Sequence, residues 1–266
     1  MVTGGNRGLG LEICRALAAP GNDVVLTARD ASKGAAACEE LRGGKAAVRF
    51  RQLDVGDDAS IRGFARWAED ELGRWDILVN NAGVLNDRAV TSLDIDAATF
   101  RETVEINLTG AFLLSQAAAA MMRRNRYGWI VNVSTDMATH ESGLAAGGCP
   151  AYRVSKAALN ALTRVIAADL SGANVLVNAL SPGWVRTDMG GVGAPLSRVR
   201  TRRCGSRPSP RAVRRADIFA TVNRSHGKAA GAVGSRDHAR RRICACMRCC
   251  HSGGILVSLA RRGDGR

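Results

Sequence analysis

The sequence predicts an α/β domain built on one doubly wound parallel sheet, and three observations predict it. Short apolar runs alternate with helix-forming segments from the start of the chain to residue 180, the order that sandwiches a parallel sheet between helices. A glycine-rich turn, Thr3-Gly4-Gly5-Asn6-Arg7-Gly8-Leu9-Gly10, runs directly into a helical stripe over residues 11–19. Polar and glycine residues follow the apolar runs at their carboxyl ends, where open α/β sheets bind ligands.

The elements follow in order. The glycine turn is a candidate phosphate cradle: backbone N–H groups and the helix dipole face an anion, and missing Cβ atoms permit close approach. Such a turn normally follows a buried strand, but only Met1 and Val2 precede it, so the first strand is expected to be incomplete. Residues 23–29 (DVVLTAR) read as a buried strand after Pro20-Gly21-Asn22, and residues 46–55 as another ending in Leu53-Asp54-Val55. Asp58 is the expected cap of a helix through Leu72, stopped by Gly73. Residues 76–79 form a strand running into Asn80-Asn81-Ala82-Gly83, and residues 99–124 one long helix with Asn107 inside it. A strand at 129–133 ends in Ser134-Thr135; a helix carrying Tyr152 and Lys156 runs to Leu170; a strand at 174–180 leads into Ser181-Pro182-Gly183-Trp184-Val185-Arg186-Thr187-Asp188-Met189.

Charge divides the chain. The net charge of +14 arises almost wholly after residue 194: residues 1–194 carry 20 Lys/Arg against 21 Asp/Glu, residues 195–266 carry 18 against 3. Cysteine divides likewise, with Cys14, Cys38 and Cys149 scattered in the first part and five in the second. The three lack a disulfide-like spacing and read as reduced thiols. No apolar run approaches the roughly 18 residues of a membrane span, and no signal peptide opens the chain. A cytoplasmic protein without membrane association is expected, organised as a domain at 1–194 and a tail at 195–266.

The chemistry centres on Tyr152 and Lys156. Four residues apart on a helix, they share one face. An unperturbed phenol has a pKa of about 10, and a nearby fixed positive charge lowers it. The pair is a candidate general acid/base for alcohol and carbonyl chemistry. At the strand ending in Ala28-Arg29, an arginine favours a cofactor bearing a 2′-phosphate over one with a free 2′-hydroxyl. Arg7 in the glycine turn adds a second cation, which points to NADPH.

TGGNRGLG, NNAG, a serine after the fifth strand, YRVSK and PGWVRTDM, in that order over residues 3–189, resemble the short-chain dehydrogenase/reductase family. TGGNRGLG, LTAR, RQLDV and PGWVRTDM look most like its NADPH-dependent carbonyl reductases. The resemblance implies a Rossmann-like fold in a single domain, with incomplete first and last strands. It implies that Tyr152 donates a proton to the carbonyl oxygen, Lys156 lowers its pKa and holds the nicotinamide ribose, Ser134 hydrogen-bonds the substrate oxygen, and Asn107 anchors a water in the proton relay. Gly4, Asn6, Arg7, Gly8, Leu9, Gly10 and Arg29 would surround the phosphates. Asp54 and Val55 would flank the adenine, and Asn81, Ala82 and Gly83 the adenosine-side ribose. Pro182, Gly183, Val185 and Thr187 would hold the nicotinamide. Only 17 residues separate Ser134 from Tyr152. The monomeric carbonyl reductases carry a longer insertion there, so a homo-oligomer is the expectation.

After Pro195 the family pattern stops. One reading of the tail is a disordered, Arg-rich nucleic-acid-binding segment, given its 17 arginines. A zinc site at Cys244, Cys246, Cys249, Cys250 and His251 is disfavoured by crowded ligands with no spaced second pair, so no metal is expected. The favoured reading is a non-native stretch from a shifted frame or read-through intron, because loss of pattern and the charge jump coincide. The function expected is hydride transfer from NADPH to a ketone, aldehyde or quinone. The alternatives are a non-catalytic reductase-like protein with a basic tail, and an NAD-linked alcohol or hydroxysteroid dehydrogenase.

Overall fold

The computed structural model describes residues 1–19, 22–42, 47–138, 143–191 and 193–194, together with two short strands at 216–218 and 257–259. Five parallel strands form the body: β1 (Val24–Ala28), β2 (Val48–Gln52), β3 (Ile77–Asn80), β4 (Gly128–Val133) and β5 (Val175–Leu180). They run in spatial order β2-β1 and β3-β4-β5, and residues 1–3 join the two groups. Val2 lies parallel between Leu26 and Val79. Its N–H donates to Val25 O at 2.9 Å and its carbonyl accepts from Thr27 N at 3.1 Å. On the other side Val79 N donates to Met1 O at 2.9 Å and Thr3 N to Val79 O at 3.0 Å. The short first strand therefore holds the centre of the sheet with three residues, and its ladder delivers the chain into the glycine turn.

The helices are α1 (Gly8–Ala18), α2 (Ala31–Arg42), α3 (Asp58–Leu72), α4 (Ala97–Val104), α5 (Gly110–Asn125) and α6 (Pro150–Asp169). All five residues of β1 are buried, the signature of a strand covered on both faces. Along the strands, alternate side chains enter two cores. Leu26, Val79 and Val131 pack with Ile13 and Leu17 of α1 and Leu41 of α2. Val25, Leu78 and Ile130 pack with Phe64 of α3 and Leu114 and Met122 of α5. Full burial of each such side chain is worth about 1.5–3 kcal/mol. A buried polar chain binds the second face: Asn80 Nδ2 donates to Ser115 Oγ (3.1 Å) and Asn132 Oδ1 (2.8 Å), and Asn132 Nδ2 to Thr163 Oγ1 of α6 (2.9 Å).

Two local expectations change. The cap of α3 is Asp57, whose carboxylate accepts from Ala59 N at 2.8 Å, while Asp58 is the first helical residue. The stop at Gly73 holds, with φ +62. The long helix at 99–124 is two helices joined by a π turn at Glu105–Thr109 that contains Asn107. One extra residue in the turn re-aims the side chains around Asn107, a device found at functional sites.

Cys14 and Cys38 are buried free thiols and Cys149 is partly exposed and free; burial pushes the Cys14 thiol up to about 12. No helix among the described residues is long and apolar enough to cross a membrane, and no group of three metal-ligating side chains occurs among them. In the segment after residue 194, β6 (Ala216–Ile218) pairs antiparallel with β7 (Val257–Leu259). The expectations of a disordered or non-native tail, and the Cys244–His251 cluster, lie otherwise outside the described residues.

Candidate active site

A cleft of about 1250 Å³ runs along the carboxyl ends of the strands. It is large enough for an extended dinucleotide with a small substrate beside it. Every site residue named from the sequence lines it except Asn107.

The glycine turn is built by its neighbours. Thr3 Oγ1 accepts from Asn81 N (2.9 Å) and Ala82 N (2.8 Å), and Asn81 Nδ2 donates to Thr3 O (2.9 Å) and Gly4 O (3.2 Å). The NNAG segment thus braces the turn from behind. A Cβ on Gly10 would fall 2.2 Å from Gly4 O, so only glycine lets α1 start this close to the turn. No side chain caps α1, so its first N–H groups face the cleft as an anion site.

At the far end, Arg29 closes β1 and has no ion pair among the described residues. The adjacent carboxylate, Asp30, is taken up by capping α2: it accepts from the Ser32 hydroxyl (2.7 Å) and Lys33 N (3.0 Å), and these bonds hold its pKa down at about 2. Lys33 lines the same end of the cleft, and Arg51 stands beside Arg29 in an adjoining recess, its guanidinium 5.1 Å from the Trp67 ring. Asp54 supports its own turn by accepting from Gly56 N at 2.9 Å. Arg7 does not join this cluster. Its guanidinium pairs with Asp188 at 2.7 Å, tying the glycine turn to the 182–191 segment. Both partners are exposed, so the pair adds little stability.

At the chemical end, α6 brings Tyr152 (7% exposed) and Lys156 (4% exposed) to the floor of the cleft. Lys156 Nζ donates to Val133 O at 2.8 Å. Gly83 backs onto this point: a Cβ there would lie 3.0 Å from Asn107 Oδ1 and 3.3 Å from Lys156 Nζ. Asn107 is fully engaged. Its Oδ1 accepts from Val84 N (2.8 Å), and its Nδ2 donates to Val84 O (3.0 Å) and Ser155 Oγ (3.1 Å). Ser155 in turn donates to Tyr152 O at 2.9 Å. The side chain of Asn107 is therefore a clamp between the NNAG segment and α6.

Two expectations about electrostatics and hydroxyls are revised. Burial dominates both titratable groups: it pushes the Tyr152 phenol up, opposed by a hydrogen bond with Thr135, and the Lys156 ammonium down to about 8. Burial sets the direction of the Tyr152 shift, and the Lys156 ammonium donates to the Val133 carbonyl. Ser134 lines the cleft without exposing its hydroxyl. Its N–H donates to Leu180 O at 2.7 Å, and its hydroxyl is shut off from solvent with no partner among the described residues. Thr135, the next residue, is the one whose hydroxyl meets Tyr152. Asp87, which no motif marks, accepts from the first-turn N–H groups of α6 at Ala151 (2.7 Å) and Tyr152 (3.2 Å).

Residues 1–193 match the family model for short chain dehydrogenase. A 3-oxoacyl-acyl-carrier-protein reductase from Mycobacterium tuberculosis (strain ATCC 25618 / H37Rv) is 36% identical over 190 residues, covering 71% of this chain and 70% of the relative. A galactitol 2-dehydrogenase (L-tagatose-forming) from Cereibacter sphaeroides is 38% identical over 190 residues, covering 71% of each. Among solved structures, a short chain dehydrogenase/reductase family protein superposes with a TM-score of 0.64 at 40% identity, over 71% of this chain and 75% of that one. The cleft, the braced glycine turn and the Tyr152–Lys156 floor sit on the fold these proteins share, and the chain belongs to the short-chain dehydrogenase/reductase family, a family of oxidoreductases with nicotinamide cofactors.

Proposed function

We propose that the protein reduces small or medium carbonyl compounds (ketones, aldehydes or quinones) with NADPH. The observation that carries this reading is the placement of Tyr152 and Lys156, both buried on one face of α6 at the floor of the cleft beside Thr135. Burial raises the Tyr152 pKa, which favours the phenol form that gives a proton to a carbonyl oxygen.

The residues present fit the cofactor. The braced turn and the uncapped start of α1 suit a pyrophosphate. Arg29, with Lys33 and Arg51 nearby and Asp30 withdrawn into a cap, suits a 2′-phosphate better than a free 2′-hydroxyl. Pro182, Gly183, Val185 and Thr187 line the opposite stretch beside Tyr152 and Lys156. The nicotinamide, when bound, supplies the hydride.

The chain's own residues do the rest. Thr135 and Tyr152 both line the cleft and their side chains interact, so a carbonyl oxygen placed beside them can accept from both hydroxyls as it gains charge. Tyr152 then transfers its O–H proton to that oxygen. Lys156, a cation at pH below about 8, stabilises the phenolate left behind. The 3-oxoacyl reductase relative supports reduction as the working direction, since that protein is named for reducing an oxo group.

Tyr152→Phe tests the reading. It keeps the ring and deletes the acid, so turnover in a panel of small ketones, aldehydes and quinones should fall about 10²–10⁴-fold. NADPH affinity, read from nucleotide fluorescence, should stay within about 3-fold, since the lost group meets the substrate. Unchanged turnover in Tyr152→Phe, or no change in NADPH fluorescence with the wild-type chain, contradicts it.

A further inference from the structure

We propose that Asp87 is the positioning residue for Tyr152, acting from outside the catalytic helix; this rests on Tyr152 being the proton donor. Asp87 is wholly buried, 0% exposed, on the segment that follows NNAG. One carboxylate oxygen, Oδ2, accepts both the Ala151 and the Tyr152 N–H. The other, Oδ1, is buried with no hydrogen-bond partner among the described residues. Burying a carboxylate half-satisfied is costly unless something offsets it. Here the offset is the start of α6, whose partial positive charge and unpaired N–H groups favour an anion.

Nothing else among the described residues does this job for α6. Its N-cap residue, Cys149, lies in the left-handed region at φ +48 and gives no side-chain cap. The helix that carries the catalytic pair would start with bare N–H groups one residue from the phenol. Asp87 supplies the cap from 64 residues away in sequence.

The segment around it is fixed at three further points. Val84 is gripped by Asn107 through both backbone groups. The Val90 carbonyl accepts from Cys149 N at 3.2 Å. Arg88 donates to Met189 O. Residues 84–90 therefore form a bracket that registers the start of α6 against the π turn on one side and the 182–191 segment on the other. Asp87 is its contact with Tyr152 itself. A helix start displaced by a fraction of an ångström carries the phenol with it, and proton transfer depends steeply on that position.

Asp87→Asn keeps an oxygen acceptor in place, and Asp87→Ala removes it. In Asp87→Ala, kcat for the best carbonyl substrate of the panel should fall about 10- to 100-fold, while NADPH affinity by fluorescence titration stays within about 3-fold. Asp87→Asn should recover kcat to within about 5-fold of wild type, and hydrogen exchange at the Ala151 and Tyr152 amides should rise only in Asp87→Ala. Equal losses of kcat and NADPH affinity in Asp87→Ala, or no recovery in Asp87→Asn, overturn the proposal. Should Asp87→Ala fail to fold, Asp87→Glu carries the test by moving the oxygen one methylene. Lowered kcat with intact NADPH affinity supports positioning, and wild-type kcat overturns it. A Tyr152→Phe protein with full activity would instead remove the proton-donor reading beneath, leaving the Asp87 cap visible in amide exchange.

Discussion

Replacing Thr135 by Val and, separately, Ser134 by Ala assigns the hydroxyl that polarises the substrate. Thr135→Val keeps the branched shape at a partly exposed position and deletes the hydroxyl that interacts with the Tyr152 phenol. Removing a single donor of this kind from a reacting oxygen costs about 2.7–4 kcal/mol, or about 10²–10³ in kcat. Ser134→Ala deletes a hydroxyl that is 5% exposed as a residue and makes no hydrogen bond among the described residues. A buried hydroxyl without a partner costs about 1–3 kcal/mol, so its removal should leave the protein as stable or more so. For a chain of this size each kcal/mol is about 2–4 °C in Tm. The assays are steady-state carbonyl reduction followed by NADPH absorbance, and thermal unfolding of the same samples. Expected are a collapse of kcat with little change in Tm for Thr135→Val, and near wild-type kcat with an equal or higher Tm for Ser134→Ala. A loss of about 100-fold in Ser134→Ala together with wild-type turnover in Thr135→Val would refute the assignment and return the role to Ser134.

Two further outcomes complete the set. Arg29→Ala should raise KM for NADPH far more than KM for NADH, by about tenfold or more, because a charge-assisted contact to a 2′-phosphate is worth about 1.5–3 kcal/mol and a hydroxyl offers no equivalent; equal effects on both would exclude the cofactor assignment. Lys156 titrates at about 8 in the folded chain against its ordinary 10.5. Between those values only the unfolded chain holds the proton, so this group makes stability rise with pH across that window, by about 3 kcal/mol in total. Lys156→Met should lack that rise in denaturant unfolding, and wild-type kcat should decline above pH 8 as the ammonium is lost; the same pH slope of stability in both proteins would sink the assignment.

Several features of the site are local in origin and so are legible in the amino-acid sequence alone. The spacing of Tyr152 and Lys156 puts them on one helical face whatever surrounds the helix. The glycines at 4, 8 and 10 mark a backbone approach that side chains forbid, and Gly10 meets Gly4 O as that logic requires. Arg29 is legible because it ends a wholly buried strand. Alternating runs of two periodicities suffice for the fold class.

What tertiary structure decided depends on partners far apart in the chain. Asp87 reads as an ordinary loop residue until α6 is laid against it. Arg7 reads as a phosphate ligand until Asp188 arrives from 181 residues away. Asn107 reads as a mid-helix asparagine until the π turn and Val84 engage its amide. The choice between Ser134 and Thr135 turns on which side chain the packed elements leave open, Ser134 being buried and Thr135 partly exposed. The direction of the Tyr152 shift turns on how deeply α6 is buried. The sequence by itself determined which chemical groups this protein owns and the elements they ride on, because spacing and propensity act over a few residues. Which hydroxyl faces the phenol, what holds the helix start and how far burial moves each proton were decided only by tertiary packing, because desolvation and long-range hydrogen bonds exist only once the elements are packed together.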